Sequence, residues 1–552
     1  MSFSYRQALA AVLGICAVSS ATPAAVPSQG FGPVATRAVC GPKDRQESGL
    51  QGQTTLAERF GSDSARAYNC NLELMGNYVG EGAGAGFAII DKCAYVAQWQ
   101  VPLPLVSVLK NPGVMIVDVS DPNKPKAAGY LRTPGMMQPA ESLSLDLNRK
   151  LLIGQHLNKS GEQGSTLDIY DVSDCLKPKL KFSGIIPGYI FHGGDFSPDG
   201  TILWGTTGPV LRDEDPEQGD TISALDITDP TQPKVLATYR APDPERIQRF
   251  HGISVTDDGK TAYYTIGEHK YKRVNGRIVP SPNQGIGVLD VSEVQARKPN
   301  PTIKPVGDQV FWDDIVHNQF LRPMVIKGKK YLWENRLDGV IASDAKLHTG
   351  VRFTRPVDSP EDACRAGKAA WGFVSIFDIE DAIRPKRVSA VKLEVHDPKN
   401  CLATAHDPVY SHGYSPLICD VDNYQNSKMM VCAFTEGGIR VFDIRDVKRP
   451  REIAYYKPPA VGNAPRAASP YQTFRDVSGT VSKATKFHSA DGTAHPFFAN
   501  GAKEVWFSSF DGGFHAVRFS DALLAKEKDL FADLNTCVGG LRPAHGCPND
   551  AK

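Results

Sequence analysis

The stretch Ile222-Ser-Ala-Leu-Asp-Ile-Thr-Asp229, followed at once by Pro230, decides the fold, because its pattern recurs along the chain. The other copies are Val114-Met-Ile-Val-Asp-Val-Ser-Asp121, Leu167-Asp-Ile-Tyr-Asp-Val-Ser-Asp174 and Ile286-Gly-Val-Leu-Asp-Val-Ser-Glu293. They continue as Val374-Ser-Ile-Phe-Asp-Ile-Glu-Asp381, Ile439-Arg-Val-Phe-Asp-Ile-Arg-Asp446 and a weaker Phe514-His-Ala-Val-Arg-Phe-Ser-Asp521. Each is an alternating or continuous β-branched run and therefore a strand. A proline usually follows (Pro122, Pro178, Pro230, Pro385, Pro450) and ends it in a turn.

The anchor residues Asp118, Asp171, Asp226, Asp290, Asp378, Asp443 and Arg518 are 53, 55, 64, 88, 65 and 75 residues apart. A unit of about 50 residues with variable insertions is a propeller-blade period. Another strand follows each turn, as in Lys234-Val-Leu-Ala-Thr-Tyr-Arg240. Two precede each anchor, as in Ile253-Ser-Val-Thr256 and Thr261-Ala-Tyr-Tyr-Thr-Ile266 around the turn Asp257-Asp-Gly-Lys260. The expected fold is all-β, a seven-bladed β-propeller of four-stranded blades. These strands resemble the LVIVD-repeat family of bacterial propellers over roughly residues 70–521. The resemblance implies the architecture and is nearly silent about function.

The seventh repeat lacks a fourth strand, because Ala522–Leu530 reads as helix. Asn71-Leu-Glu-Leu-Met-Gly-Asn-Tyr-Val79 has the pattern of a fourth strand yet precedes the first blade. An N-terminal strand closing the last blade would remove an exposed edge; the alternative is an irregular extension. Arg6 and the apolar run Ala8–Val18, followed by small residues, match a secretory signal cleaved after Ala21 or Ala25. The expected organisation is a signal at 1–25, an extension at 26–69, the propeller at 70–521 with an insertion around 311–373, and a tail at 522–552. No later segment reaches the length of about 20 apolar residues that spans a membrane. With 62 Lys+Arg against 61 Asp+Glu, no nucleic-acid partner is expected. A periplasmic or secreted location and ten cysteines after the signal suggest disulfides. Cys364/Cys401, Cys419/Cys432 and Cys537/Cys547 are the pairs closest in sequence, although connectivity cannot be deduced.

Walking back from each anchor to the start of its blade's first strand gives Glu141, His192, His251, His317, His412 and His488. Their contexts agree: Phe191-His-Gly, Phe250-His-Gly, Val316-His-Asn, Ser411-His-Gly, Phe487-His-Ser, and Ala140-Glu-Ser in the second blade. First strands line a propeller's axis, so these side chains would converge at one mouth. The second strands end at the same mouth, at Thr435-Glu436 and Phe510-Asp511 among others. The five histidines are expected metal ligands for copper or iron, with Glu141, Glu436 and Asp511 as the catalytic carboxylates. The competing reading is that each imidazole bonds within its own blade and binds nothing. Two functions follow: an exported metal-dependent oxidoreductase acting on a small molecule, or a binding propeller with a protein partner. Asp195-Phe-Ser-Pro-Asp199-Gly and Thr256-Asp-Asp-Gly resemble calcium loops but read as hairpin turns. The long insertion, with Trp312, Trp333 and Trp371, reads as a lid or a solvated decoration. The chain has no Gly-x-Ser-x-Gly, phosphate loop, dinucleotide fingerprint or CxxCH.

Overall fold

The computed structural model describes residues 32–60, 64–98, 109–137, 139, 141–156, 166–207, 221–240, 246–274, 277–281, 284–307, 309–312, 318–336, 360–365, 367–407, 412–459 and 492–532. Seven antiparallel sheets form a ring of blades. Blades 1 to 6 span 87–131, 144–185, 193–240, 246–305, 318–391 and 416–457, each running from an inner first strand to an outer fourth. Blade 7 takes three strands from 493–519, and its outer strand is Leu72–Tyr78. That strand pairs antiparallel with Gly513–Phe519, from Leu72 opposite Phe519 to Tyr78 opposite Phe514. The N-terminal strand therefore closes the ring.

The repeated third strand reads as a near-continuous apolar run because both its faces are covered. In Val114–Asp118, Val114 and Ile116 pack toward blade 2, while Met115 and Val117 pack toward blade 7. The same division holds around the ring, with a buried apolar cluster at each of the seven blade interfaces. The anchor aspartates have a local task. Asp118 accepts from Ser120 N and Oγ, Asp226 from Thr228 N and Oγ, and Asp290 from Ser292 N and Oγ. These side chain-to-backbone turns end the strand and start the reversal into the fourth. The Asp195–Gly200 stretch is likewise a hairpin turn: Ser197 N bonds Ile202 O, and Asp199 caps Ser197 and Thr201.

Three features depart from expectation. First, residues 318–336 of the expected insertion are the first two strands of blade 5, Asn318–Ile326 and Lys329–Arg336. Second, Tyr68–Cys70 adds a fifth strand to blade 6, and the chain crosses to blade 7 through Asn71 at φ 56°. Third, the N-terminal segment has buried partners. Arg440 lies between Glu47 and Glu452, and Lys457 Nζ is 2.8 Å from Glu58. Cys364–Cys401 and Cys419–Cys432 are joined, as are Cys40–Cys70 and Cys93–Cys175, whose pairing sequence spacing does not suggest. Cys537/Cys547 and the signal lie outside the described residues. The disulfides fit an oxidising compartment, and no described helix is long and apolar enough to cross a membrane. The expected C-terminal helix is Asp521–Lys526, capped by Ser520.

Two outcomes follow. Deleting the chain through Val79 should leave blade 7 with an open edge, giving aggregation or non-cooperative unfolding by chromatography and circular dichroism. The second concerns acid. Ser120 and Ser292 hold the Asp118 and Asp290 carboxylates below their usual range, and Thr228 does the same for Asp226 against the opposing effect of burial. Depressed folded values stabilise fully above the unfolded carboxylate pKa of about 3.9 and lose that stabilisation as pH falls through the folded values. Below about pH 4 the Tm should drop steadily, and the drop should be shallower in a combined Asp118→Asn, Asp226→Asn, Asp290→Asn variant.

Candidate metal centre in the propeller channel

The first strands meet at the axis, and their pairing with the second strands fixes which residues share a level. Counting from the residue opposite Thr265 and its equivalents, blades 1 to 7 place Ala85, Glu141, His192, His251, Gln319, Leu417 and Ala494 at one level. Three residues deeper, the strands place Ala88, Ser144, Asp195, Ser254, Arg322, Asp420 and Phe497. The spacing of three, where a regular strand alternates by two, comes from register shifts at Phe250/Ile253, Asn318/Leu321 and Pro416/Cys419.

Glycine lets the strands approach. A Cβ on Gly193 would sit 2.4 Å from the His251 carbonyl oxygen, and one on Gly252 would sit 2.5 Å from that of Gln319. The His-Gly pairs of blades 3 and 4 thus combine an imidazole aimed at the axis with room for the next blade's backbone. The third pair differs, since Gly413 faces the Trp371 ring. His412 is buried five residues ahead of Leu417, the residue that blade 6 places at the ligand level. His317 and His488 lie outside the described residues. Blades 5 and 7 hold Gln319 and Ala494 at that level, and among the described residues the imidazoles brought together are those of His192 and His251.

The gathered set is Glu141, His192 and His251. His192 Nε2 is 3.1 Å from His251 Nε2 and 3.3 Å from Glu141 Oε2, and His251 Nε2 is 3.4 Å from the same oxygen. All three side chains are at least nine-tenths buried. Gln319 orients two of them: its Nε2 donates to Glu141 Oε1 at 2.9 Å, and its carbonyl lies 3.1 Å from His251 Nδ1. A carbonyl only accepts, so Nδ1 of His251 carries a proton, and in the neutral imidazole Nε2 is the atom that presents a lone pair to the cluster. Burial alone would raise the Glu141 pKa, but His192, His251 and the Gln319 amide outweigh it and hold it at about 2. The carboxylate is ionised at any physiological pH.

The other carboxylates expected at this mouth lie outside the cluster. Glu436 forms a buried ion pair with Arg59 of the N-terminal segment, and Thr54 donates to its backbone carbonyl. Asp511 is fully buried between the second and third strands of blade 7. Two residues that matter were not picked out from the sequence. Gln319 stands two residues after His317, and only strand register could have shown that it faces the axis. His495, on the first strand of blade 7, is the other.

No protein-family model matches the chain, and no curated protein matches it. Among solved structures, the Pseudomonas aeruginosa periplasmic gluconolactonase is similar at 9% identity and a TM-score of 0.44, covering 79% of this chain and 99% of that one. A likeness of that size carries no chemistry across.

Gly193→Ala and Gly252→Ala should each force backbone against backbone at the ligand level. Overpacking of this kind costs about 1–3 kcal/mol, read as a lower Tm. Gly129→Ala, whose Cβ would meet only the Ile116 side chain at 3.8 Å, controls for the loss of a glycine as such.

Proposed function

We propose that the chain is an exported, metal-dependent oxidoreductase whose ion is held by Glu141, His192 and His251. The observation that carries this reading is the convergence of Glu141 Oε2, His192 Nε2 and His251 Nε2 within 3.4 Å of one another. With His251 as the neutral imidazole its Nε2 is a lone pair, and Glu141 is ionised, so neither supplies a proton between these atoms. His192 Nε2 can bear at most one hydrogen, which points at one neighbour and leaves another pair of lone pairs facing. A cation at the centre of the triangle relieves all three contacts at once. Donors at about 2.1 Å from an ion lie about 3.0 Å apart in octahedral and about 3.4 Å apart in tetrahedral geometry, which brackets the observed separations.

Two imidazoles and one carboxylate make up the donor set of mononuclear non-haem iron(II) centres. Of copper and iron, the carboxylate favours iron. The Gln319 contacts fix the tautomer of one ligand and the rotation of another, as outer partners of metal ligands do. Bound iron would supply a redox-active Lewis acid with exchangeable positions, while the chain itself supplies orientation and a dry surrounding.

The test is metal analysis of the protein purified without chelator. About one iron per chain is expected, lost in Glu141→Gln, His192→Ala and His251→Ala, with folding retained by circular dichroism. Gln319→Ala should weaken metal affinity by about 10–100-fold. Copper at these residues would change the metal assignment, and zinc would move the chemistry to hydrolysis. A protein that takes up no transition metal would leave a binding propeller.

A further inference from the structure

Below the ligand triangle the channel carries a second charged level, and its cation is Arg322 of blade 5. Burial alone would lower the Arg322 pKa, but Tyr424 and Asp420 of blade 6 and Asp195 of blade 3 raise it. Burial pushes His495 of blade 7 down to about 3, and the charge of Arg322 acts on it more strongly than that of Glu141. A side chain from blade 5 that is felt on blades 3, 6 and 7 lies at the axis. Arg322 keeps accessible surface, as do Ser144 and His495 across the ring. Neighbouring blades cover the first strands on their other sides, so this surface opens into the channel. The side chain that meets the guanidinium is Tyr424, whose hydroxyl donates to Asp420 Oδ1 at 2.8 Å. Among the described residues, no carboxylate comes within the ion-pair distance of 4.0 Å. One hydroxyl leaves most of the five N–H donors of the guanidinium to be met from the channel.

We propose that this level is an anion subsite, in which Arg322 takes the carboxylate of a small organic acid. Guanidinium and carboxylate match in a two-pronged contact that fixes direction as well as charge. The rest of the acid extends along the axis toward the ligand triangle, and that its other end meets the ion rests on the metal reading above. Two nearby carboxylates limit the charge that fits. Asp195 is turned to blade 4, where Ser254 Oγ and Val255 N hold its Oδ2 at 3.0 and 3.2 Å. Burial pushes the Asp420 pKa up to about 6, so Asp420 gives up its charge readily when an anion arrives beside it. Arg322 then balances Asp195, and the ion above outweighs Glu141. A single carboxylate matches that balance, whereas a dianionic phosphate exceeds it.

The experiment uses the purified protein loaded with Co(II), at a pH where Asp420 is ionised, with acetate as the probe and acetamide as its neutral isostere. Saturation-transfer NMR reads both probes, and elemental analysis reports the ion site alone. Acetate should bind at least about tenfold more tightly than acetamide, and Arg322→Gln should remove that difference at unchanged cobalt content. Asp420→Asn, which keeps an oxygen for Tyr424, should instead tighten acetate by about threefold or more, a gain that no folding defect produces. That variant carries the test if Arg322→Gln fails to fold, since losing Arg322 leaves Asp195 and Asp420 uncompensated. Acetate held as tightly by folded Arg322→Gln as by the parent, or not tightened in Asp420→Asn, would overturn this inference alone. No cobalt uptake, with acetate still bound through Arg322, would overturn the metal reading and leave the subsite standing. Neither cobalt uptake nor acetate binding would overturn both.

Discussion

A strand buried on both faces cannot exist in an isolated blade, and this chain builds six such strands from one pattern. Ile222, Ala224, Ile202 and Trp204 of blade 3 pack against blade 4, while Leu203 and Leu225 of the same sheet pack against blade 2. Each blade therefore depends on two neighbours, and the dependence ends only when the ring is complete. That gives Leu72–Tyr78 its importance. It supplies the outer hydrogen bonds of blade 7 and holds that blade where Trp506 and Phe514 meet Phe87 and Met115 of blade 1. Closure also sets how tightly the seven first strands crowd the axis, and hence the need for Gly193 and Gly252.

The N-terminal segment extends the same constraint. Arg59, Arg440 and Lys457 are almost fully buried, each against a carboxylate. Buried pairs gain little net stability over apolar packing, but removing one partner leaves an uncompensated charge. The segment is thereby tied to one place: Glu47 and Glu58 meet Arg440 and Lys457 only if residues 32–67 lie across blade 6 in a single register. Cys40–Cys70 fastens the same segment to the strand that precedes the closing one. Glu436, which from its place after a second strand looks like a catalytic group, belongs to this arrangement through Arg59.

The architecture was legible because the repeated strand is amphipathic toward two neighbours at once, and because Asn71–Val79 carries a fourth-strand pattern with no blade before it. The site was legible in part, for a definite reason. Counting back from the anchor reaches the axis correctly in blades 2 to 4 and yields Glu141, His192 and His251. In blade 6 it lands on His412, five residues ahead of Leu417, because the chain spends extra residues before the first strand; His317 and His488 lie outside the described residues. The register shifts beside Leu417 and Ala494 are set by contacts with neighbouring strands, which no local pattern reveals. Cys93 and Cys175 were hidden for a related reason, since they meet only because blades 1 and 2 are neighbours in the ring.

The one-sidedness of the ligand level follows from how the inner strands are held. Thr206 bonds the His251 carbonyl, and Thr265 bonds the backbone N–H groups of His251 and Gly252. The positions of His192 and His251 are thus fixed by backbone contacts between blades, independently of anything their imidazoles bind. Neutral imidazole lone pairs facing the Glu141 carboxylate repel it and one another, and the scaffold keeps the donors together against that repulsion. A donor set held together by contacts made elsewhere is preorganised: an arriving cation meets ligands already in place and need not reorder them. On the opposite side of the same level, Leu417, Ala494 and Ala85 carry no polar side chain, so among the described residues the titratable groups of this level all come from blades 2 to 4.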